Sequence, residues 1–259
     1  MRKSIEINGL RFAYEKDKPV LNDVRLDVEE GAVLAVLGKN GCGKSTLLDC
    51  IIGCNDVKDG CIKVNGQDIK ALSDKEMSQN VAYMSQRVDI NMDFSVLEFI
   101  LFGRTCRLRF GASPAKADYD IAKTNAEKCG ITHLLSKSVN KLSGGERQLA
   151  FIARVLTQES PIIIMDEPTA ALDFGNQLKI CKMIGELQSQ GRTVVFTTHN
   201  PMHVLYMNCH VAVMQAGKVT RRGNARDAIT KAALKEMYGD IVYDYVEQFP
   251  AFLGIGKML

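Results

Sequence analysis

The chain has 259 residues, and its 33 lysine and arginine residues nearly balance 30 aspartate and glutamate residues, which leaves a net charge of +3 at pH 7. This charge gives no broad positive field, so we expect no nucleic-acid partner, and the length allows one domain with a sizeable core. The apolar runs, such as residues 32–37, fall short of the roughly 18 residues that a membrane-spanning helix needs, and we expect a cytoplasmic protein without a membrane span of its own.

The first part of the chain predicts an antiparallel sheet followed by a buried strand and a helix. Residues 5–14 and 20–28 alternate apolar and polar side chains, which is the pattern of strands with one exposed face. The continuous apolar run at 33–37 indicates a strand that is covered on both faces. A helix is expected to begin near Lys44, because apolar residues then recur at helical spacing.

The rest of the chain predicts a helical insert and then alternating strands and helices. Asn65-Gly66 favours the positive φ angles of a tight turn, so a hairpin is predicted there. Helical spacing extends from about residue 95 to 156, and Ser113-Pro114 predicts the cap and first turn of one helix. Strand patterns occur at 81–84, 162–165, 193–197 and 211–214. Strands that alternate with helices in this way predict an α/β fold with a mainly parallel sheet.

Residues 38–45, Gly-Lys-Asn-Gly-Cys-Gly-Lys-Ser, match the Walker A pattern of a phosphate-binding loop. The segment follows the buried strand and opens a helix, which is the context that this motif requires. Its glycines let backbone N–H groups surround phosphates, and the helix N-terminus adds partial positive charge. Lys44 is expected to reach the β- and γ-phosphates, and the Ser45 hydroxyl to ligate Mg²⁺. The alternative is a glycine-rich turn before a helix that binds no ligand. Such a turn would not need the complete Walker A pattern with its Lys-Ser pair.

Two carboxylates and a histidine follow buried strands at the edge where ligands bind in open α/β sheets. Asp166 ends the strand at 162–165 as a Walker B metal ligand does, so we expect it to hold Mg²⁺ directly or through water. Its neighbour Glu167 is expected to polarise the attacking water as general base. His199 follows the strand at 193–198. Taken singly, these residues also fit a solvated turn and a structural histidine.

Residues 142–148, Leu-Ser-Gly-Gly-Glu-Arg-Gln, resemble the signature motif of ATP-binding-cassette (ABC) proteins. The resemblance extends from Tyr14 to His199 by motif. It implies an ABC-type P-loop NTPase with a RecA-like core, an N-terminal antiparallel β-subdomain and an inserted helical subdomain. Residues 1–86 and 158–259 would form the core with the β-subdomain, and residues 87–157 the helical subdomain, within a single ABC ATPase domain.

The resemblance also implies an ATPase whose sites are shared between two subunits. In this family the signature loop of one subunit completes the ATP site of another, so a second ATPase subunit is expected, here a second copy of the chain. Ser143 and the N–H groups of Gly144 and Gly145 can bind the γ-phosphate of the nucleotide held opposite. Hydrolysis to ADP and phosphate would then release the two subunits.

Further roles follow from the same resemblance. Tyr14 resembles the aromatic residue that stacks on adenine, although an aromatic at the end of a strand is often only packed. Gln86 resembles the residue that senses Mg²⁺ and the γ-phosphate, His199 the switch histidine, and Asp173 the loop that lines the dimer interface. The residues assigned to ATP are Tyr14, Gly38, Lys39, Asn40, Gly41, Cys42, Gly43, Lys44, Ser45, Thr46, Ser143, Gly144, Gly145, Glu146 and Asp173. Those assigned to catalysis are Glu167, His199, Lys44 and Gln86, and those assigned to Mg²⁺ are Ser45, Gln86 and Asp166.

Within the family, residues 96–104, Glu146 and residues 172–177 resemble the subgroup that serves iron-siderophore, haem and cobalamin importers. This implies transmembrane permease subunits, an extracytoplasmic substrate-binding protein as an indirect partner, and a position at the cytoplasmic face of the membrane. Asn200-Pro201 follows the switch histidine where an acidic residue is common, so importers of molybdate or zinc remain alternatives. A soluble ABC ATPase of iron–sulfur cluster assembly is a further alternative.

Overall fold

Two β-sheets and a set of helices make up residues 2–86, 93–109 and 111–240, which are the residues that the computed structural model describes. The strands are β1 (Lys3–Glu15), β2 (Lys18–Glu29), β3 (Val33–Leu37), β4 (Asp59–Val64), β5 (Gln67–Asp68), β6 (Val81–Met84), β7 (Ile162–Met165), β8 (Thr193–Thr198), β9 (His210–Gln215) and β10 (Lys218–Asn224). The helices are α1 (Lys44–Ile51), α2 (Asp74–Asn80), α3 (Val96–Leu101), α4 (Lys116–Lys128), α5 (Gly144–Thr157), α6 (Phe174–Ser189), α7 (Pro201–Met207), α8 (Ala225–Ala228) and α9 (Lys231–Tyr238). None of these helices is long and apolar enough to cross a membrane.

The antiparallel sheet predicted for the first part of the chain is confirmed. Its strand order is β2-β1-β4-β5, and β1 pairs antiparallel with both β2 and β4. The predicted hairpin turns between β4 and β5, where Asn65 and Gly66 have φ angles of 51° and 81°.

The second sheet has the strand order β10-β9-β3-β8-β7-β6, and β9, β3, β8, β7 and β6 run parallel. The predicted mainly parallel sheet is therefore confirmed. The sequence patterns did not indicate β10, which pairs antiparallel with β9 and has mostly exposed side chains. Because parallel strands end at the same edge, the residues that follow β3, β6, β7 and β8 meet on one side of the sheet.

The parallel sheet separates two apolar cores. Val33, Ala35 and Leu37 of β3 face the core that includes α3, α4 and α5, whereas Leu34 and Val36 face the core shared with the antiparallel sheet. All five side chains are buried, so the continuous apolar run does form a strand covered on both faces. This double burial fixes the position of the loop that leaves the end of β3.

The helical stretch predicted from about 95 to 156 is divided into α3, α4 and α5 with short 3₁₀ turns between them. The predicted start of a helix at Ser113-Pro114 is wrong, because α4 begins at Lys116. Asp118 provides the cap instead, since its carboxylate accepts a hydrogen bond from the Ala115 N–H at 2.8 Å. Of the three ranges expected to form the core and the helical subdomain, residues 1, 87–92, 110 and 241–259 lie outside the described residues.

Candidate functional site

The loop between β3 and α1 needs glycine at two positions for different reasons. A Cβ atom on Gly38 would lie 2.4 Å from the Met214 carbonyl oxygen and 2.6 Å from the Cys42 sulfur, so a side chain has no room there. Gly43 has a φ of 103°, in a region that side chains disfavour. The loop is thus pressed against β9 before it enters α1.

Lys44, the first residue of α1, turns its buried ammonium back onto the loop. Nζ donates to the carbonyls of Gly38 at 2.9 Å and Lys39 at 3.1 Å, and it lies 3.4 Å from the Glu167 Oε1 atom. The side chain is only 5% exposed. A buried cation held in this way supports the curve of the loop and presents positive charge on its inner side.

A cleft of about 370 Å³ opens over this loop and combines residues from distant parts of the chain. Its walls are formed by Val20, Asn40, Gly41, Gly43, Lys44, Ser45, Thr46, Gln86 and Glu167. Gln86 follows β6 and Glu167 follows β7, so the common edge of the parallel sheet delivers both side chains to the loop.

Asp166 and Glu167 are buried and are held by one threonine of the neighbouring strand. The hydroxyl of Thr197 donates to Asp166 Oδ1 and accepts the N–H of Glu167 at 2.8 Å. Thr197 was not singled out from the sequence. A polar residue inside a strand predicted to be buried was the available signal, because such a group requires a partner.

Glu167 has a buried oxygen, Oε1, that pairs with the Lys44 ammonium but accepts no hydrogen bond, and an unusual backbone. Its φ of 50° lies in the left-handed region, where a residue other than glycine is strained. Oε2 lies 3.0 Å from His199 Nδ1, whereas Oε1 accepts no hydrogen bond. A carboxylate that is 4% exposed and lies between an ammonium and an imidazole has the properties of a base for a bound water molecule.

The His199 side chain reaches Glu167 from the end of β8 and is 57% exposed on its other side. Behind it lies the buried His203, whose ring nitrogens are 3.4 Å from Thr169 Oγ1 and 3.2 Å from Gln177 Oε1. Burial lowers the pKa of His203, and the neighbouring His199 lowers it further. His203 therefore links the segment after β7, the helix α6 and the segment after β8 as a neutral residue.

Tyr14 lies at the end of β1 with 63% of its surface exposed. Its hydroxyl is 3.3 Å from Thr46 Oγ1, and its ring meets Phe12 edge-on at a centroid distance of 4.9 Å. The largely exposed ring lies beside the start of α1, where an aromatic side chain can stack on a ligand.

The signature residues lie outside the cleft of their own chain. Ser143 caps α5: its hydroxyl accepts the Glu146 N–H at 3.3 Å, and the Glu146 carboxylate accepts the Ser143 N–H at 2.7 Å. The Ser143 N–H and then its hydroxyl lower the pKa of Glu146. Gly145 packs on the Ala171 carbonyl, and Asp173 caps α6 nearby. Ser143, Gly144 and Asp173 are exposed, so the structure places them on an exposed edge that is separate from the cleft.

These two groups are connected through Gln148 of α5. Its amide donates to the carbonyls of Glu167 at 3.2 Å and Pro168 at 3.0 Å. The helix that begins at the signature loop is thus tied to the turn that carries the candidate base.

Residues 21–170 match the family model described as ABC transporter. This span is more than half of the chain, and the chain therefore belongs to the ABC transporter family as an ATP-binding subunit. It is an ABC-type ATPase, as the signature motif predicted.

Two relatives illustrate the range of the matches. The chain is 32% identical over 250 residues to the molybdate import ATP-binding protein MolC of Haemophilus influenzae, covering 96% of this chain and 93% of MolC. It is 33% identical over 223 residues to the hemin import ATP-binding protein HmuV of Rhodococcus jostii, covering 86% of this chain and 75% of HmuV.

Solved structures confirm the predicted ABC cassette fold. A transporter described as metal-chelate type, in an inward-facing conformation, superimposes with a TM-score of 0.78 and 33% identity, covering 91% of this chain and 89% of the other. A bacterial ABC transporter cassette solved as a dimer superimposes with a TM-score of 0.78 and 25% identity, covering 86% of this chain and 99% of the other.

Proposed function

We propose that this chain energises an importer for iron-siderophore complexes, haem or cobalamin, and that two copies of it close on ATP and then hydrolyse it. The observation that carries the catalytic part is the position of Glu167, whose carboxylate lies between the Lys44 ammonium and the His199 ring. Glu167 polarises the attacking water with its carboxylate, while Lys44 and His199 contact the β- and γ-phosphates. These roles divide general-base catalysis from charge stabilisation.

The residues around the cleft also suit Mg²⁺. This ion prefers oxygen ligands. Ser45 and Gln86 line the cleft, and Asp166 directly follows β7. We assign Mg²⁺ to Ser45, Asp166 and Gln86, where it would neutralise phosphate charge. Thr197 restrains the Asp166 carboxylate for that purpose through its hydrogen bond.

ATP lies along the loop in this proposal. Residues 38–46 bind the phosphates mainly through backbone N–H groups and Lys44, and Tyr14 stacks on adenine with its exposed ring face. The closeness of Tyr14 to Thr46, at the first turn of α1, supports one continuous nucleotide site.

The exposed edge completes the ATP site of a second copy. Ser143, Gly144, Gly145 and Glu146 lie at the N-terminus of α5, and Asp173 lies at the N-terminus of α6, where backbone N–H groups attract a phosphate. This edge lies outside the chain's own cleft, which supports a role at the nucleotide of another subunit. The dimeric cassette of similar fold supports a homodimer.

A membrane permease is the partner whose conformational change this dimer drives. A cavity of about 670 Å³ separates α2 from the helical region and is lined by Lys75, Phe102, Arg109, Arg154 and further residues. We propose that the permease docks at this helical region, which places the chain at the cytoplasmic face of the membrane. An extracytoplasmic substrate-binding protein would then deliver the substrate.

The substrate class rests on likeness. HmuV and the metal-chelate type transporter support haem or metal-chelate import, whereas MolC, matched over 96% of this chain, supports molybdate as the second candidate. The chain itself never contacts the substrate in this scheme, so its own residues do not choose between them.

Co-purification from membranes tests the transporter assignment. The tagged chain is expected to bring down a polytopic membrane protein, and the substrate-binding protein encoded with that permease is expected to bind a ferric siderophore, haem or cobalamin more tightly than molybdate. Preference for molybdate would move the assignment to the second candidate. A complex made only of soluble cluster-assembly proteins would contradict the transporter proposal.

A further inference from the structure

The C-terminal helix α9 ends against the site just described, and its last residue, Tyr238, touches two parts of that site. The Tyr238 hydroxyl donates to the backbone carbonyl of His199 at 2.6 Å. The Lys39 ammonium, in the phosphate loop, lies 6.0 Å from the centroid of the Tyr238 ring. The sequence patterns gave no sign of this contact, because 39 positions separate Tyr238 from His199.

The helix that carries Tyr238 is anchored. Leu234 and Met237 are 1% and 3% exposed and belong to the core on the helical side of the sheet. The hydroxyl of Thr230 caps the start of the helix by accepting the Ala233 N–H at 3.1 Å. A donor on an anchored helix restrains its acceptor, as the supporting residues of a functional site do.

The acceptor is the part of His199 that fixes the direction of its side chain. The imidazole is 57% exposed, so packing alone does not hold it against Glu167. The carbonyl of the preceding residue, Thr198, accepts the N–H of Gly38 at 3.2 Å. One peptide beside His199 is therefore held by the phosphate loop and the other by Tyr238, and peptide planes restrained on both sides define where the Cβ atom points.

We propose that Tyr238 is a positioning residue for His199, whose hydroxyl holds the His199 peptide in the orientation that places the imidazole beside Glu167. This inference rests on the proposed catalytic role of His199. The Tyr238 ring also contacts Lys39 of the phosphate loop, so the C-terminal helix supports both sides of the nucleotide site.

The Tyr238 hydroxyl keeps its proton and therefore remains a hydrogen-bond donor. Burial, and then the neighbouring Cys42 and Glu167, raise the pKa of Tyr238 to about 12. Tyr238 therefore stays protonated through the pH range in which the ATPase would be assayed.

Tyr238→Phe tests the inference, because it keeps the ring and its contact with Lys39 and removes only the hydroxyl. We expect kcat for ATP hydrolysis to fall roughly three- to tenfold, as for the loss of one neutral hydrogen bond, with KM for ATP changed by less than about twofold. In long-range ¹H–¹⁵N spectra of the imidazoles, the signals that His199→Ala removes are expected to move in Tyr238→Phe, while those of His133 and His210 stay in place. Tyr206→Phe, on the exposed face of α7, is the control and should change neither measurement.

An unchanged kcat in Tyr238→Phe would overturn the inference, whether or not the His199 signals move. A lower kcat with unmoved His199 signals would also overturn it, because the hydroxyl would then act on another group. If His199→Ala hydrolyses ATP at the wild-type rate, the proposed role of His199 fails, and this result is separate from the positions of the His199 signals in Tyr238→Phe.

Discussion

Glu167 combines three features that are each unusual for a glutamate. It has a left-handed backbone, it is almost completely buried, and it lies within 3.4 Å of an ammonium and 3.0 Å of an imidazole. Strain of this kind persists where neighbouring contacts impose it, and here the Thr197 hydroxyl and the Gln148 amide hold the backbone of Glu167 on two sides. The residue is thus positioned by its surroundings before any ligand binds.

Lys44→Ala is expected to weaken nucleotide binding itself. The change removes a buried cation that supports two loop carbonyls, and it removes a charge-assisted contact with the phosphates. We expect the Kd for ATP to rise at least about tenfold, measured by calorimetric titration. Lys182→Ala, on the exposed face of α6, is the control. Equal affinities in Lys44→Ala and wild type would contradict the phosphate-binding role.

At the scale of elements, the N-termini of helices α5 and α3 have the same capping geometry and different surroundings. Ser143 with Glu146 and Ser95 with Glu98 both form reciprocal caps, with the serine hydroxyl accepting an N–H at 3.3 Å in each case. Only the α5 cap belongs to the signature loop. The chain therefore contains its own control for separating the stability of a cap from its use in binding a partner's nucleotide.

Ser143→Ala and Ser95→Ala are each expected to lower the free energy of unfolding by about 1 kcal/mol, the usual cost of losing a serine cap. Urea denaturation measures this cost. Only Ser143→Ala should also weaken ATP-dependent dimerisation, measured by light scattering. Loss of dimerisation in Ser95→Ala to the same extent would mean that the signature serine acts through helix stability alone.

The segment after α3 is tied to α4 and to the end of α5 by the buried Arg104. Its guanidinium donates to Asp118 at 2.8 Å, to Glu159 at 2.7 Å and to the Thr157 carbonyl at 3.0 Å. Arg104→Met leaves the Asp118 carboxylate buried without its cation, so we expect a loss of about 3 kcal/mol in the free energy of unfolding. Arg221→Met, which breaks an exposed pair with Glu236, should cost less than about 1 kcal/mol. Similar losses in the two variants would contradict this reading.

The same pair predicts a pH dependence. The Arg104 guanidinium, and then the Ala115 N–H, lower the pKa of Asp118 from its ordinary value of 3.8. Because the folded-state pKa is below that of the unfolded chain, the stabilisation is present above the unfolded pKa and is lost as the pH falls through the folded one. Asp118→Asn should therefore be less stable than wild type at neutral pH, with the difference in urea midpoints shrinking below about pH 4. A difference that is constant with pH would contradict it.

How far the sequence predicted the elements depended on the range of the interactions. The phosphate loop and the positions of the strands around it follow from local pattern, because glycine spacing and apolar runs are local properties. The start of α4 was placed wrongly, since Ser113-Pro114 gave a local signal but the Asp118 carboxylate caps the helix through the Ala115 N–H. Thr197 had only the weak signal of a polar residue in a buried strand and Tyr238 had none, because the partners of both lie far away in the chain.

At the scale of the whole molecule, the described residues contain two parts of an ATP site that do not meet within one chain. The cleft gathers Lys44, Gln86 and Glu167 at one edge of the parallel sheet, and the signature loop and Asp173 lie on a separate exposed edge. Ser143 does not line the cleft of its own chain, so in this arrangement it does not contact a nucleotide bound there. We therefore expect efficient hydrolysis to need two chains, each completing the ATP site of the other with its exposed edge.

Glu167→Gln tests the two-chain site through the rate of ATP hydrolysis and the oligomeric state with and without ATP. The variant keeps the shape of the side chain and loses the base, so we expect ATP binding to persist, hydrolysis to fall by about a hundredfold or more, and an ATP-bound dimer to accumulate in size-exclusion chromatography. The control Glu167→Gln/Ser143→Ala should bind ATP and remain monomeric. Two results would contradict the shared site: hydrolysis by Glu167→Gln at the wild-type rate, or Glu167→Gln alone remaining monomeric with ATP bound.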